Sequence, residues 1–173
     1  MEKQLYQDPI IREYVELFKA NLGTGVIKTY YQGDPMRIPE SNLPAMIISK
    51  DETRVGQSIE GGSNMEDGHE MAMVITVVSS IRKEINDDKS ITPGIAKLYD
   101  IIEGREDSTF KLKTNSVLHV LRNNVFVNSQ KNLRTDLNSI TRVDYGFTLG
   151  NRDEDAWAAE GQVEFVAHFS QLR

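Results

Sequence analysis

The chain has 173 residues, including 20 Lys or Arg, 26 Asp or Glu, three His and no Cys. That length suits one well-packed domain and is too short for two ordinary ones. The absence of Cys excludes a disulfide scaffold, a thiolate zinc site and a cysteine nucleophile. The formal net charge of −6 argues against a nucleic-acid binder whose affinity comes from a basic face, and no stretch approaches the roughly 20 apolar residues that span a bilayer.

The first predicted element is a helix. Asp8 is a suitable N-cap, and Pro9 suits the first helical position. Apolar residues at three- and four-residue spacing then form one stripe, which consists of Ile11, Tyr14, Val15, Phe18 and Leu22. Gly23 stands where a left-handed C-cap would lie. We therefore predict a helix over residues 9–21.

Two strands and a glycine-rich segment follow. β-Branched and aromatic residues at 26–31 predict one strand, and the apolar run at 45–50 predicts a short buried one. Residues 51–68 contain four glycines and almost no bulky apolar side chains. Because little apolar surface is available to offset the ordering entropy, we expect a long mobile loop or an irregular hairpin there.

The strongest strand signal lies at residues 69–79. Its β-branched residues present apolar side chains on both faces, which indicates a central strand covered on both sides. A second helix is predicted to follow, with Thr92 as its N-cap, Pro93 at its first position and Gly104 as its C-cap.

The next segment is ambiguous. Residues 117–121 fit a short helix or a strand, and we favour a helix that ends at Arg122. The Asn-rich segment at 123–137 is typical of a surface loop.

The chain ends with two predicted strands. Apolar and polar residues alternate over residues 143–149, and again from Trp157 to Phe169 after a polar turn. A period of two that persists over a dozen residues indicates antiparallel strands packed on one side. Together the elements predict one α+β domain over residues 1–173, with a mixed or antiparallel β-sheet, two or three flanking helices and long loops at about 51–68 and 123–137.

The histidines give little support for metal binding or catalysis. His69, His119 and His168 are about fifty residues apart, and none has a second His or carboxylate at the spacing that places two ligands on one helix face. Glu66 and Asp67 precede His69, so a carboxylate-oriented histidine is compatible with the sequence. A histidine at a strand edge is the simpler interpretation.

The other motifs have structural explanations. The acidic turn at 153–155 lacks the pattern of an EF-hand loop, and the glycines at 22–25 follow a helix instead of a strand and lack the Gly-Lys-Ser/Thr of a phosphate loop. No nucleophile elbow, His-Glu-x-x-His or Walker sequence occurs. A triad built from distant residues would leave no such signature. We expect no catalytic residue, no metal site, no cofactor and no enzymatic activity.

The order of the elements carries a resemblance to a known family. The segments that carry it are residues 43–48 (Leu-Pro-Ala-Met-Ile-Ile), 69–78, 142–147 and 162–169. In this order they resemble the tail-terminator family of long-tailed bacteriophages, also called tail-completion or neck proteins, and with their spacing the similarity covers about residues 9–170. Residues 51–68 and 123–137 match no part of the family pattern.

The resemblance implies an α/β sandwich whose sheet is flanked by helices, and a ring of six copies that stops tail-tube polymerisation. The implied partners are further copies of the chain, the tail-tube protein, a head-connector or head-completion protein, and a sheath protein if the tail is contractile. DNA would pass through the ring without specific binding, and no cofactor or membrane would be involved. The protein would be made in the host cytoplasm and end in the virion neck. We expect contacts with neighbours from Arg54, Glu60, Met65, Asp153, Trp157 and Glu164.

Two other functions remain compatible with the sequence. One is a head-completion or connector-adaptor protein at the other side of the same joint. The other is a small ligand-binding domain or hydrolase that uses His69 with Glu66 or Asp67. The segments expected to contact neighbours, at 51–68 and 157–169, are equally well explained as a solvated loop and a core strand.

Overall fold

The structure, a computed structural model, describes residues 8–23, 25–55, 59–60, 66–81, 92–149 and 157–172. Within these residues the helices are α1 (Pro9–Leu22), α2 (Thr92–Glu103) and α3 (Val117–Asn123), and a single 3-10 turn lies at Glu40–Asn42. The strands are β1 (Thr29–Gln32), β2 (Ala45–Val55), β3 (Ile59–Glu60), β4 (Glu66–Ser80), β5 (Leu133–Thr135), β6 (Thr141–Leu149) and β7 (Trp157–Leu172).

One mixed sheet contains all of these strands, in the order β1-β2-β4-β7-β5, with β3 beside β4 and β6 beside β7. β1 is parallel to β2, and the other pairs are antiparallel. The longest ladder joins β4 to β7, from Glu66 opposite Leu172 to Ser80 opposite Ala158. The predicted α+β domain with a mixed sheet and flanking helices is confirmed, and β4 is a central strand as predicted.

All three helices pack on the same face of the sheet, which we call the helix face. Successive side chains of a strand point to opposite faces, so alternate residues of each strand reach this layer. One buried cluster joins the helices to sheet residues that include Met46, Ile48, Met73, Ile75, Val77, Val163, Phe165 and Ala167. The helix face therefore contains the main hydrophobic core.

The other side of the sheet, which we call the opposite face, has a smaller apolar cluster at one end. The connection between β1 and β2 covers this end, where the buried residues are Ile38, Leu43, Ala45, Ile47, Val78 and Ala158. Further along β7 the same face carries half-buried polar side chains, which are Glu160, Gln162, Glu164 and His168. The two faces of one sheet therefore differ in polarity.

Helix α1 begins and ends where its sequence predicts, within one residue. The carboxylate of Asp8 accepts a hydrogen bond from the Ile10 amide at 2.9 Å, which satisfies one of the free amides of the first turn. Gly23 has a φ of +70°, a region that favours glycine. On the buried stripe, the ring of Tyr14 lies 5.0 Å from that of Phe165, and the Tyr14 hydroxyl is 3.0 Å from Thr135 Oγ1.

The second and third helices also follow local signals. The Gly104 amide donates to the Asp100 carbonyl at 3.0 Å, and a Cβ at Gly104 would lie only 2.4 Å from that oxygen, so a glycine is required where α2 ends. Ser116 caps α3 by accepting from the His119 amide at 3.3 Å. The helical interpretation of residues 117–121 is confirmed.

The predicted loops are shorter in the structure. β2 continues to Val55 and β4 starts at Glu66, with a register shift between Lys50 and Val55 and with β3 paired to β4. The irregular hairpin is therefore the correct alternative for the described part of residues 51–68. The surface-loop prediction is wrong for residues 133–135, which form β5 because Leu133 and Thr135 alternate with exposed Arg134 and are buried against β7.

Candidate functional site

The residues expected to contact neighbours are spread along the sheet. The backbone of Arg54 lies near the end of β2, that of Glu60 in β3 and that of Trp157 at the start of β7. Met65 and Asp153 lie outside the described residues. The described members belong to β2, β3 and β7, and their backbone positions do not define a single site.

Glu164 is the one predicted contact residue whose side chain the structure describes. It lies on the opposite face, in register with Val74 of β4 and Thr141 of β6, and is half-buried. With Asp51 and Ser139 it lines a small cavity of about 100 Å³. Glu164 therefore lies within the sheet, away from its edges.

His69, the candidate for a catalytic histidine, lies in β4 directly opposite Phe169 of β7. The two rings are stacked, with centroids 5.1 Å apart and an interplanar angle of 25°. The backbone of Glu66 and Asp67 is in the same strand. The described environment of His69 is thus an aromatic cross-strand pair, which is a packing contact.

A different histidine has carboxylate neighbours. His168 Nδ1 is 3.4 Å from Glu70 Oε1, its partner across the β4–β7 ladder, and His168 Nε2 is 3.8 Å from Asp136 Oδ2 in the turn after β5. Arg134 is in register on the other side. Glu70, His168 and Asp136 thus form a polar cluster on the opposite face that links β4, β7 and the turn after β5.

Sequence reasoning missed this cluster because its members are far apart in the chain. His168 has no carboxylate at helical spacing, and the alternation along β7 places it only on the polar side of a strand. The register that sets Glu70 opposite His168 comes from strand pairing. A cross-strand partner of this kind leaves no local signal.

A groove of about 460 Å³ opens beside the start of α1, and we call it the α1 groove. Apolar side chains that pack on the main core form its floor, and these are Ile10, Met71, Leu133 and Phe169. Polar side chains form its rim, and these are Asp8, Glu13, Asn128 and Asn132. Its volume is in the range of pockets that hold a ligand or an anchoring side chain.

The charges of the α1 groove come from Asp8 and Glu13, at the N-terminal end of α1. Burial acts to raise the pKa of Asp8. Its carboxylate accepts hydrogen bonds from Lys50 and from the amides of Ile10 and Ile11, and it lies close to the positive charge of Lys50. These interactions outweigh burial, so the pKa of Asp8 is lowered. Glu13 makes no hydrogen bond or ion pair with any described residue. The groove therefore has an apolar floor and one carboxylate that no described side chain neutralises.

The segment between α2 and α3 presents an exposed aromatic side chain, and we call residues 105–112 the Phe110 turn. Phe110 is 72% exposed, and its φ of +57° lies in the left-handed region. That conformation costs a non-glycine residue on the order of 1 kcal/mol. The neighbouring Lys111 is also exposed.

Hydrogen bonds hold the Phe110 turn in place. The Phe110 amide donates to the Glu106 carbonyl at 3.0 Å, and the Glu106 amide donates to the Lys111 carbonyl at 2.9 Å. Arg105 Nη1 donates to the Phe110 carbonyl at 2.8 Å, and Arg105 forms a β-bridge with Leu112. The turn therefore presents the aromatic ring on an ordered backbone.

Comparison with protein-family models and with curated protein sequences gives no match for this chain. Among the described helices, none combines the length and the apolar character needed to cross a membrane. In the same part of the chain, no three His, Asp or Glu side chains are grouped as metal ligands. The two surface features defined above, the α1 groove and the Phe110 turn, are the candidate functional sites.

Proposed function

We propose that the protein is a virion structural protein, a tail terminator that assembles as a hexameric ring at the end of a phage tail tube. The observation that supports this proposal is the order of the elements: α1, then β1 and β2, the long central β4, α2, and the final β6–β7 pair. It is the order on which the resemblance to tail terminators rests. The described helices and strands follow one another in this order along the chain.

A ring places a physical demand on its subunits. A closed head-to-tail ring needs two different surfaces on each copy, because one patch meets another at every interface. The α1 groove and the Phe110 turn are two such surfaces, and no residue of the turn lines the groove. This chain therefore offers what a heterologous ring requires.

The charge of the chain suits a part through which DNA passes. Each copy has a formal charge of −6, so a hexamer would carry about −36 and would repel the phosphate backbone. The half-buried Glu160 and Glu164 place carboxylates on the opposite face of the sheet. We propose that DNA moves through such a ring without specific contacts and that no cofactor or catalytic residue takes part.

The proposed partners are the tail-tube protein on one side and a head-connector or head-completion protein on the other, with a sheath protein if the tail is contractile. Arg54, Glu60, Trp157 and Glu164 remain candidates for these contacts, as do Met65 and Asp153. The site of action would be the neck of the virion, after assembly in the host cytoplasm.

Negative-stain imaging of the purified protein mixed with phage tail tubes tests the proposal. We expect a ring at one end of each tube and no further tube growth when more tube protein is added. Met36→Ser is a matched control, because Met36 is fully exposed and lies outside the groove and the turn; it should cap tubes like the wild type. A protein that never binds tube ends would overturn the proposal.

Three further results would change the proposed function. Binding to DNA-filled heads but not to tubes would favour a head-completion protein. Tight, salt-sensitive binding of the isolated protein to DNA would contradict the role assigned to its charge, because neutralised phosphates make affinity fall steeply with salt. A small-molecule activity that His69→Ala abolishes without unfolding the protein would favour the ligand-binding or hydrolase alternative.

A further inference from the structure

We propose that the Phe110 turn of one copy docks in the α1 groove of a second copy, with the Phe110 ring on the apolar floor and Lys111 beside Glu13. This contact is the head-to-tail interface of the proposed ring. The inference rests on the proposed function for the closure of that ring, while the pairwise contact itself is measured without any phage component.

The Phe110 turn has the properties of an interface anchor. The Phe110 ring is exposed to water, and its backbone lies in the strained left-handed region. Both features are unfavourable in an isolated copy. A rigid aromatic side chain loses little conformational entropy on binding, which makes aromatic residues effective anchors. The hydrogen bonds of Arg105 and Glu106 hold the backbone of Phe110 in position before any partner arrives.

The α1 groove complements this anchor in shape and polarity. Its floor joins the main core through Met71, Leu133 and Phe169, so it is supported from below and does not need to rearrange. A volume of about 460 Å³ leaves room for a phenyl ring. Aromatic contacts with Phe169 would add to the apolar area that leaves water.

The charges favour a second copy as the occupant. Lys111 is exposed and its ammonium group makes no ion pair with any described residue, and Glu13 on the rim is likewise without a partner there. Copies that carry a net charge of −6 repel each other. An interface between them therefore needs opposite charges at the contact, and Lys111 beside Glu13 provides them.

Sedimentation velocity on the full-length chain, from about 1 μM to about 1 mM, measures the contact. We expect the wild type to self-associate. Phe110→Asn removes the ring and introduces a residue that tolerates the left-handed backbone. It should weaken association roughly 30-fold, as expected for loss of an anchor. Met36→Ser removes an even more exposed apolar side chain outside both surfaces and should leave association unchanged.

Charge reversal tests the predicted pairing. Glu13→Lys places two cations together and should weaken association about 10-fold, and Lys111→Glu added to it should restore most of the loss. In an equimolar mixture of Phe110→Asn and Glu13→Lys, heterodimers should form more strongly than either variant self-associates, since the groove of the first and the anchor of the second are both unchanged. Circular dichroism and urea unfolding confirm that each variant is folded.

The outcomes separate this inference from the proposed function. A wild type that stays monomeric at about 1 mM, a Phe110→Asn variant that associates normally, or a mixture that gives no dimer would each overturn the docking contact. Tube capping by Phe110→Asn at wild-type efficiency would overturn the contact and leave the tail-terminator function standing. Self-association as described, without binding to tube ends, would support the contact and overturn the function.

Discussion

The helix face and the opposite face of the sheet use neighbouring residues of one strand for different purposes. In β7, Val163 and Phe165 are buried under the helices at 0% and 2% exposure, whereas Gln162 and Glu164, which alternate with them along the strand, are half-buried on the other side. A substitution on the helix face removes core packing. On the opposite face it changes a polar surface, so the stability of this domain should depend far more on one face than on the other.

The largest expected effect tests this difference directly. Phe165→Ala should lower the free energy of unfolding by about 4 kcal/mol, because it leaves a cavity beside Tyr14. Gln162→Ala, on the same strand, should lower it by less than about 1 kcal/mol. Urea unfolding followed by circular dichroism measures both, and equal losses would show that the two faces contribute alike.

Loss of the hydrogen bond between Tyr14 and Thr135, which lies inside the helix face, should have the next largest effect on the free energy of unfolding. Tyr14→Phe leaves the hydroxyl of Thr135, which is 2% exposed, without its partner and should cost about 1.5 kcal/mol. Tyr31→Phe is the matched control, because its hydroxyl accepts a hydrogen bond from Asn42 in a half-buried position; it should cost less than about 1 kcal/mol. Thr135→Val added to Tyr14→Phe should recover part of the loss, and no recovery would contradict this account.

A substitution at the N-terminal end of α1, at the border of the helix layer, should have a smaller effect on the free energy of unfolding. Asp8→Ala removes the α1 cap and the ion pair with Lys50 and should cost about 1 kcal/mol at neutral pH. Because the folded state lowers the pKa of Asp8, the contribution is present above the ordinary value of 3.8 and is lost as the pH falls through the lowered value. Unfolding curves at neutral and acid pH measure this, with Glu16→Ala as an exposed control. A difference from wild type that stays constant down to pH 2 would contradict it.

The smallest predicted effect appears at high pH. Burial raises the pKa of Tyr14 above its ordinary value of 10.0, even though the Thr135 hydrogen bond lowers it, and burial raises the pKa of Tyr30 to about 12. Above pH 10 these tyrosines lose their protons in the unfolded state before they do so in the folded state. The stabilisation is therefore complete below pH 10 and is lost as the pH rises towards the raised pKa. Tyr14 alone should account for a loss of about 0.8 kcal/mol between about pH 9 and pH 10.5. Tyr14→Phe should show a flatter decline in the same unfolding series, and an unchanged slope would exclude Tyr14 as its source.

Local sequence signals were sufficient to predict the helices and strands whose capping residues and apolar pattern lie within one segment. The cap, first-turn proline and apolar stripe of α1 all lie within one segment, and they predict the helix to within a residue. The double-sided apolar pattern of β4 likewise predicts a central strand. β5 escaped prediction because three residues are too few to show a period, and only the pairing of Leu133 with Phe169 makes it a strand.

The candidate sites were less predictable than the fold. The exposed position of Phe110 and its left-handed backbone follow from the hydrogen bonds of its turn, and no periodicity marks them. The floor of the α1 groove is assembled from four separate segments, which are α1, β4, β5 and β7. His69 was singled out for its sequence neighbours, whereas His168 acquires its carboxylates from strand pairing.

The sequence by itself determined the three helices, most of the strands and which side of them is apolar, because capping, turn residues and the periods of two and 3.6 are local properties. Only the tertiary structure decided that β4 lies between β2 and β7, that all three helices share one face, and that Glu70 meets His168. Strand order and register join residues far apart in the chain, and a shift of one residue would exchange the two faces. The polar face and the groove therefore exist as surfaces only once the sheet has formed.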